Sequence, residues 1–294
     1  LTQYATQLYR EPINARYYFD DATQELVLVS PHVNGRKLDI EATLTQLNAQ
    51  IQSTNRSVPF VFEEIVPTVN SQATTTELGI TELISERTTW FYGSSDARKH
   101  NIARAAANFY GIVIAPGEEF SFNKYLGTIS EDDGYEEGLI IYGGQTIKGI
   151  GGGVCQVSTT VFQAVFYAGF PMTERWAHGY RVGYYENGDP LGVGMDAAIY
   201  VGELDLKFIN DTPHHILIEA AVIPESATVR FRLYSTNVGR IVEHEGPMMR
   251  DLVDSLPTRY EVNPDLRPGE TRQVDVAVQG AYVEVTRVIR DASG

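Results

Sequence analysis

A single cysteine, Cys155, is all the thiol chemistry in this 294-residue chain, so no internal disulfide can form and stability must come from packing. That scarcity leaves the compartment open, because exported proteins can do without paired cysteines. No run of eighteen or more apolar residues is present, so no segment reads as a membrane-spanning helix. Leu1-Thr2-Gln3-Tyr4 has neither an initiator methionine nor a signal sequence, and the expectation is a signal or membrane anchor lying outside this sequence. Cations are also few: 23 Lys and Arg face 38 Asp and Glu, a net charge of −15. A surface of that sign excludes nucleic acid and anionic lipid as partners, since both require clustered Lys and Arg. A zinc site would need several Cys, His or carboxylate ligands at short spacing, which one cysteine and the His214-His215 pair do not supply. The acidic stretches Glu131-Asp132-Asp133 and Asp251 to Asp254 lack calcium-loop spacing and read as solvated loops. No metal and no cofactor is therefore expected.

Set against these absences is one concentrated feature, Gly149-Ile150-Gly151-Gly152-Gly153-Val154-Cys155-Gln156-Val157-Ser158-Thr159-Thr160. Val154, Val157, Val161, Val165 and Ala168 recur at three- and four-residue steps until Gly169 and Pro171 stop them, which predicts a helix with Cys155 in its first turn. Unpaired N–H groups and the positive end of the helix dipole favour a thiolate there. A cysteine so placed can drop from a pKa of ~8.5 into the range of roughly 3.5 to 7.5. The three glycines are expected to form an open amide nest or approach channel. A phosphate loop is excluded because no Lys-Ser or Lys-Thr follows them. The competing reading is a tight turn into a buried helix with Cys155 as a small core residue. Ser158 sits one turn inside the helix, a supporting position and not that of a nucleophile.

A thiolate enzyme needs a base and a third group to orient it. His178 follows Cys155 by 23 residues in the aromatic stretch Glu174 to Tyr185, which reads as a strand. After a glycine- and proline-containing loop over 186–194, Met195-Asp196-Ala197-Ala198-Ile199-Tyr200-Val201 reads as a second strand opening with an acid. Helix with cysteine, strand with histidine, strand with aspartate is the order of parts in papain-like folds of the transglutaminase and cell-wall peptidase type. The other histidines, His32, His100, His214, His215 and His244, have no comparable setting.

The first 75 residues form their own pattern. Strands are predicted at 15–19 and 25–29 around an Asp20-Asp21-Ala22-Thr23 turn. A helix follows with Asp39 as N-cap and an apolar stripe of Leu38, Ile40, Leu44, Leu47 and Ile51, and a strand returns over 58–66. Ser71 to Glu77 reads as a linker. Beyond it, Leu78 to Tyr92 is extended. A helix over about 96–110 turns Ile102, Ala105, Ala106 and Phe109 inward and puts Arg98 and Asn101 on its polar side. The stretch from 122 to 149 reads as loop-rich, and 215–222 with 228–234 as an antiparallel hairpin around Pro224-Glu225-Ser226.

The blocks Asn101-Ile102-Ala103-Arg104-Ala105-Ala106, Pro116-Gly117-Glu118-Glu119-Phe120-Ser121-Phe122-Asn123, Gly134-Tyr135, Gly151 to Thr160, Glu174-Arg175, His178, Asp196-Ala197 and Asp205-Leu206-Lys207-Phe208 resemble, in order, the signature blocks of the VanW family. The resemblance covers about residues 88 to 235. It implies an extracytoplasmic bacterial protein of the cell envelope, linked to the cell wall and to some vancomycin-resistance gene clusters, without an assigned reaction. One departure is Gly179, where a small hydroxylated residue is expected after the histidine. The N-terminal unit, mainly through Val33-Asn34-Gly35-Arg36-Lys37-Leu38-Asp39, is similar to the peptidoglycan-binding domain that precedes VanW regions. Leu266 to Thr271 and Gly280 to Ile289 resemble part of a small all-β, glycine-named adhesion module.

The expected fold class is α+β: a papain/transglutaminase-like Cys-headed helix on an antiparallel sheet over residues 78–240, a small α+β N-terminal domain over 1–75, and a β-rich tail over 255–294. The expected function is cysteine-dependent acyl transfer on peptidoglycan peptides, whether as amidase, peptidase or transpeptidase. Cys155 would attack, His178 would carry the proton and Asp196 would orient the ring. Gly151, Gly152, Gly153, Gln156, Ser158 and Arg175 form the expected substrate-binding set, with backbone amides around Cys155 and the Gln156 side chain holding an oxyanion. The alternative is a non-catalytic wall-binding or structural envelope protein whose glycine groove holds a peptide terminus. Peptidoglycan or a related wall polymer is the expected partner in either case.

Overall fold

The computed structural model describes residues 1–54, 57–186, 191–273 and 277–294. It is a mixed α+β protein with several small antiparallel sheets and few helices.

The chain opens with α1 (Thr2–Leu8), then β1 (Arg16–Asp20) and β2 (Glu25–Ser30), paired antiparallel as the hairpin the sequence predicts. β3 (Gly35–Leu38) pairs with β4 (Phe62–Ile65) across the intervening α2 (Ile40–Gln50). Asp39 caps α2 as expected, its carboxylate accepting from the Ala42 amide at 2.9 Å. The apolar stripe packs only at its start, where Leu38 is buried. Leu44, Leu47 and Ile51 are 42%, 40% and 62% exposed, and the residue that α2 buries is Thr43, whose hydroxyl accepts from the Val61 amide. Periodicity identifies a face, and only a neighbouring element can cover it.

The expected linker is also structured. Residues 75–78 form α3 (Thr75–Leu78), headed by a capping box in which the Thr74 hydroxyl accepts from the Glu77 amide and the Glu77 carboxylate accepts from the Thr74 amide. Thr-x-x-Glu is a helix-start signal that a Ser/Thr-rich composition conceals. Val69 and Leu78 are buried there. They share a core with Tyr17 and Phe19 of β1 and with Ile80, Leu217 and Tyr234 further along the chain.

The central region runs β5 (Glu82–Trp90), α4 (Asp96–Ala107), β6 (Ile112–Ile114), β7 (Glu119–Ser121), α5 (Phe122–Leu126), β8 (Glu137–Tyr142), β9 (Gln145–Ile150), α6 (Val154–Ala168), β10 (Met172–Glu174), α7 (Gly183–Glu186), β11 (Lys207–Ile209), β12 (Ile216–Ile223) and β13 (Thr228–Ser235). Strands order β5-β13-β12-β6 in one antiparallel sheet and β10-β11-β7 in another. The β12–β13 hairpin is the one predicted, with Leu217 opposite Tyr234. Helix α6 packs across β5 and β13 and against α4, so its apolar side enters the main core with Ile102, Phe109, Phe231 and Leu233.

Three expectations fail here. The segment read as loop-rich contains the β8–β9 hairpin, closed by Gly143 and Gly144 at φ 58° and 74°, the backbone that a tight two-residue turn requires. The strand expected over 174–185 ends at Glu174, and Tyr184 and Tyr185 lie in α7. The strand expected over 195–201 is reduced to bridges, Trp176 with Ala198 and Tyr200 with Leu204. Aromatic residues favour strands only when a partner strand is present, and Tyr185 is instead buried against the His178 ring. Of the loop expected over 186–194, residues 187–190 lie outside the described residues.

The tail is a long hairpin of β14 (Ile241–Val253) and β15 (Gly280–Arg290). Its first strand begins ahead of the expected 255 boundary. Arg287 of β15 docks it on α6, donating to the carbonyls of Phe166 and Phe170 at 2.8 and 2.9 Å. Among the described residues no helix is long and apolar enough to cross a membrane.

Candidate functional site

Cys155 is the second residue of α6 and is half-buried. The glycines before it are spent on packing, which corrects the expected open nest. Gly153 has φ 112°, and a Cβ there would lie 2.9 Å from Arg98 Cγ; a Cβ on Gly152 would lie 2.6 Å from the Leu139 carbonyl oxygen. Gly151 is blocked in the same way by Ile129. Glycine lets α4 and β8 close on the start of α6. Asn101, expected on the polar side of α4, is fully buried and fixes this junction: its amide donates to the Glu136 and Gly152 carbonyls, and its oxygen accepts from the Glu136 amide.

His178 lies two residues after Trp176 and Asp196 two before Ala198, and the antiparallel Trp176–Ala198 bridge therefore sets them opposite one another. One carboxylate oxygen, Oδ2, accepts from the His178 backbone N–H at 2.8 Å and meets ring Nδ1 at 2.6 Å. The other, Oδ1, accepts from Arg175 Nη2 at 3.0 Å, while Arg175 also donates to the carbonyls of Gly194 and Asp196. Nδ1 is thereby committed, and Nε2 is the ring atom left to face the thiol. The His178 imidazole is close enough to Cys155 for each side chain to shift the other's protonation. Cys155 Sγ is also 3.7 Å from the Ile199 carbonyl oxygen.

The electrostatics follow from this geometry. Burial pushes the Cys155 thiol up, yet the hydrogen bond and charge of His178 outweigh it and leave the thiol below its ordinary value. Burial likewise pushes His178 down, but its bonds to Asp196 and Cys155 raise it to about 9. Asp196 ends below the usual carboxylate range because His178 and Arg175 overcome its desolvation. All three shifts favour a thiolate beside an imidazolium held by a carboxylate.

The rest of the predicted set acts from inside. Gln156 is fully buried; its Nε2 donates to the Thr89 hydroxyl at 3.1 Å and its Oε1 accepts from Arg98 Nη2 at 2.6 Å. Fully buried and turned toward Thr89 and Arg98, its side chain does not face an open site where an oxyanion would form. Ser158 is also fully buried, donating to the Ala197 carbonyl at 2.6 Å. Arg175, expected at substrate, braces Asp196. Sequence reasoning missed Thr159, which accepts from the Ala197 amide at 3.0 Å, and Gln163, which donates to the Met195 carbonyl at 3.0 Å. With Ser158 they anchor the segment that carries Asp196 to α6. The available signal was three polar residues on one stretch of an otherwise apolar helix. Gly179 also has a counterpart, because a Cβ there would stand 3.1 Å from Gly144 Cα at the tip of the β8–β9 hairpin.

A cavity of about 600 Å³ borders the His178–Asp196 pair, lined by these two with Phe162, Met172 and, from β15, Val283 and Val285. Cys155 is not among its described lining residues. Among the described residues no group of three His, Cys, Asp or Glu side chains is gathered for a metal.

The molecule is thus a mixed α+β protein in which a hydrogen-bonded His178–Asp196 pair lies near Cys155 at the head of α6. Residues 97–233 match the family model described as "VanW like protein", and residues 1–59 match one described as "Putative peptidoglycan binding domain". Over 243 residues the chain is 32% identical to YoaR of Bacillus subtilis, spanning 81% of this chain and 74% of that one. It is 34% identical over 112 residues to the vancomycin B-type resistance protein VanW of Enterococcus faecalis, covering 38% of this chain and 40% of that protein. The chain belongs to the VanW-like family. No solved structure matches it. The pairing of a VanW-like region with a peptidoglycan-binding region points to a cell-wall-associated protein of the envelope.

Proposed function

We propose that this protein is a cysteine-dependent acyl-transfer enzyme acting on amide bonds of peptidoglycan peptides, with a papain/transglutaminase-like use of its Cys-headed helix. The observation that carries this reading is the bond between Nδ1 of His178 and the Arg175-braced Asp196, which leaves Nε2 for Cys155. The Cys155 thiolate attacks the carbonyl carbon, forming a C–S bond. The C–N bond breaks as the His178 proton passes to the leaving amine. Water then cleaves the thioester to an acid, or a second amine takes the acyl group to form a new amide. Cys155 lies within the first turn of α6, whose N–H groups lack intrahelical acceptors, so its backbone amide is the donor for the oxyanion in place of Gln156. The 1–75 unit would hold the polymer while the 78–240 region performs the chemistry.

Purified peptidoglycan incubated with the protein tests this. The expected result is new free amino groups or new cross-links, absent with Cys155→Ala, and an acyl adduct on Cys155 by mass. An unchanged muropeptide profile, together with a Cys155 inert to thiol reagents from about pH 6 to about pH 9, would overturn it in favour of a non-catalytic wall-binding role.

A further inference from the structure

We infer that Arg98 is a carboxylate-recognition residue beside Cys155, so that the acyl donor is a peptide whose leaving group is a C-terminal amino acid with a free carboxylate. This rests on the acyl-transfer reading and sharpens its substrate class.

Arg98 stands in the first turn of α4, its Cγ against Gly153 and its guanidinium on the side chain of Gln156, the neighbour of Cys155. Its partners are all neutral: Ser94 Oγ at 2.7 Å, Gln156 Oε1 at 2.6 Å, and the Tyr184 ring with its centroid 5.1 Å away. Arg175, by contrast, is paired with Asp196, and Arg181 with Glu186. Among the described residues Arg98 has no carboxylate partner, although acids outnumber bases 38 to 23 in this chain.

A guanidinium carries five N–H donors, and the bonds to Ser94 and Gln156 leave the rest of the fork for a ligand. Those two bonds and the ring fix its plane, which is what bidentate carboxylate recognition requires. Arg98 and Cys155 also lie within electrostatic range of one phenol, since burial raises the Tyr185 hydroxyl, Arg98 lowers it and the Cys155 charge raises it. Tyr184, whose ring lies under the guanidinium, is itself 48% exposed. A strongly acidic protein repels anions, and a local cation with no acidic partner among the described residues selects for one. In the reaction, the C–N bond to the terminal residue breaks, that residue's nitrogen takes the His178 proton, and the free amino acid departs with its carboxylate on Arg98.

The test is alkylation of Cys155 by two reagents of equal size, iodoacetate and iodoacetamide, in the full chain. The rate ratio cancels the thiolate fraction, which both reagents share. Arg98→Met is expected to lower the iodoacetate-to-iodoacetamide ratio by about tenfold or more, with Arg98→Lys retaining part of it. An unchanged ratio in a folded Arg98→Met variant would overturn the inference and leave the acyl-transfer reading standing. A Cys155 that reacts with neither reagent removes both. Should Arg98→Met fail to fold, protection of the unmodified protein decides: N-acetylglycine is expected to slow iodoacetamide while N-acetylglycinamide does not, and equal effects of the two would refute carboxylate recognition.

Discussion

Helices α2 and α6 carry similar apolar periodicity, yet they end in opposite environments. Of the fifteen residues of α6, twelve are buried, among them the polar Gln156, Ser158, Thr159, Thr160 and Gln163. In α2 the buried residue is Thr43, while Leu44 and Leu47 face solvent. In the first case the sheet strands β5 and β13 and helix α4 supply a surface to bury against; in the second the helix spans β3 and β4 of a two-stranded sheet, too small to cover it. Burial makes polar groups demanding, and each of those in α6 is paired: Thr159 and Ser158 with Ala197, Gln163 with Met195, Thr160 with Thr89 and Gln156 with Arg98. Their pairing places Asp196. The buried helix, through these bonds, is what holds the segment carrying Asp196.

The contrast can be broken most severely at the imidazole. Replacing His178 with Ala removes the charge and hydrogen bond that hold the Cys155 thiol below its ordinary value. In the unmodified protein, iodoacetamide reactivity should persist well below pH ~8.5 and fall only as the pH drops through the lowered thiol value. In His178→Ala the opposing burial is left unbalanced, so the midpoint should move above ~8.5 and the neutral rate should collapse. A midpoint that stays put would mean the imidazole does not set the thiol. Next in size, Phe162→Ala in α6 should destabilise the fold by about 3–5 kcal/mol in urea unfolding, as for other buried aromatic truncations. Thr159→Val should cost about 1–3 kcal/mol, because it leaves the Ala197 amide buried without its acceptor. It should also slow Cys155 alkylation through the displaced Asp196. At the small end, Leu44→Ser with Leu47→Ser in α2 should stay within about 0.5 kcal/mol of the parent at each site. A loss as large as that of Phe162→Ala would show that α2 packs against something in solution.

Much of the site was legible because its signals are local. The glycine run, the 3.6-residue periodicity behind it and the stop at Gly169 fix a helix with Cys155 in its first turn, and α6 is there. The order Cys155, His178, Asp196 identified the three groups that meet. What failed depended on neighbours: Gln156 and Arg175 were given substrate contacts, but the first is consumed by Thr89 and Arg98 and the second by Asp196. Asn101 and Arg98 were both placed on a polar face, and the close approach allowed by Gly152 and Gly153 draws both onto the start of α6.

The sequence by itself determined the helices and hairpins whose capping, periodicity and turn residues lie within a few positions of one another, and it determined which thiol, imidazole and carboxylate the chain has to offer. The tertiary structure alone decided which stripes are covered, which polar side chains are spent inside, and that the Arg98 guanidinium settles on the side chain of Gln156, next to Cys155 in the chain. Those outcomes depend on contacts between residues tens of positions apart, and no local pattern encodes which donor meets which acceptor.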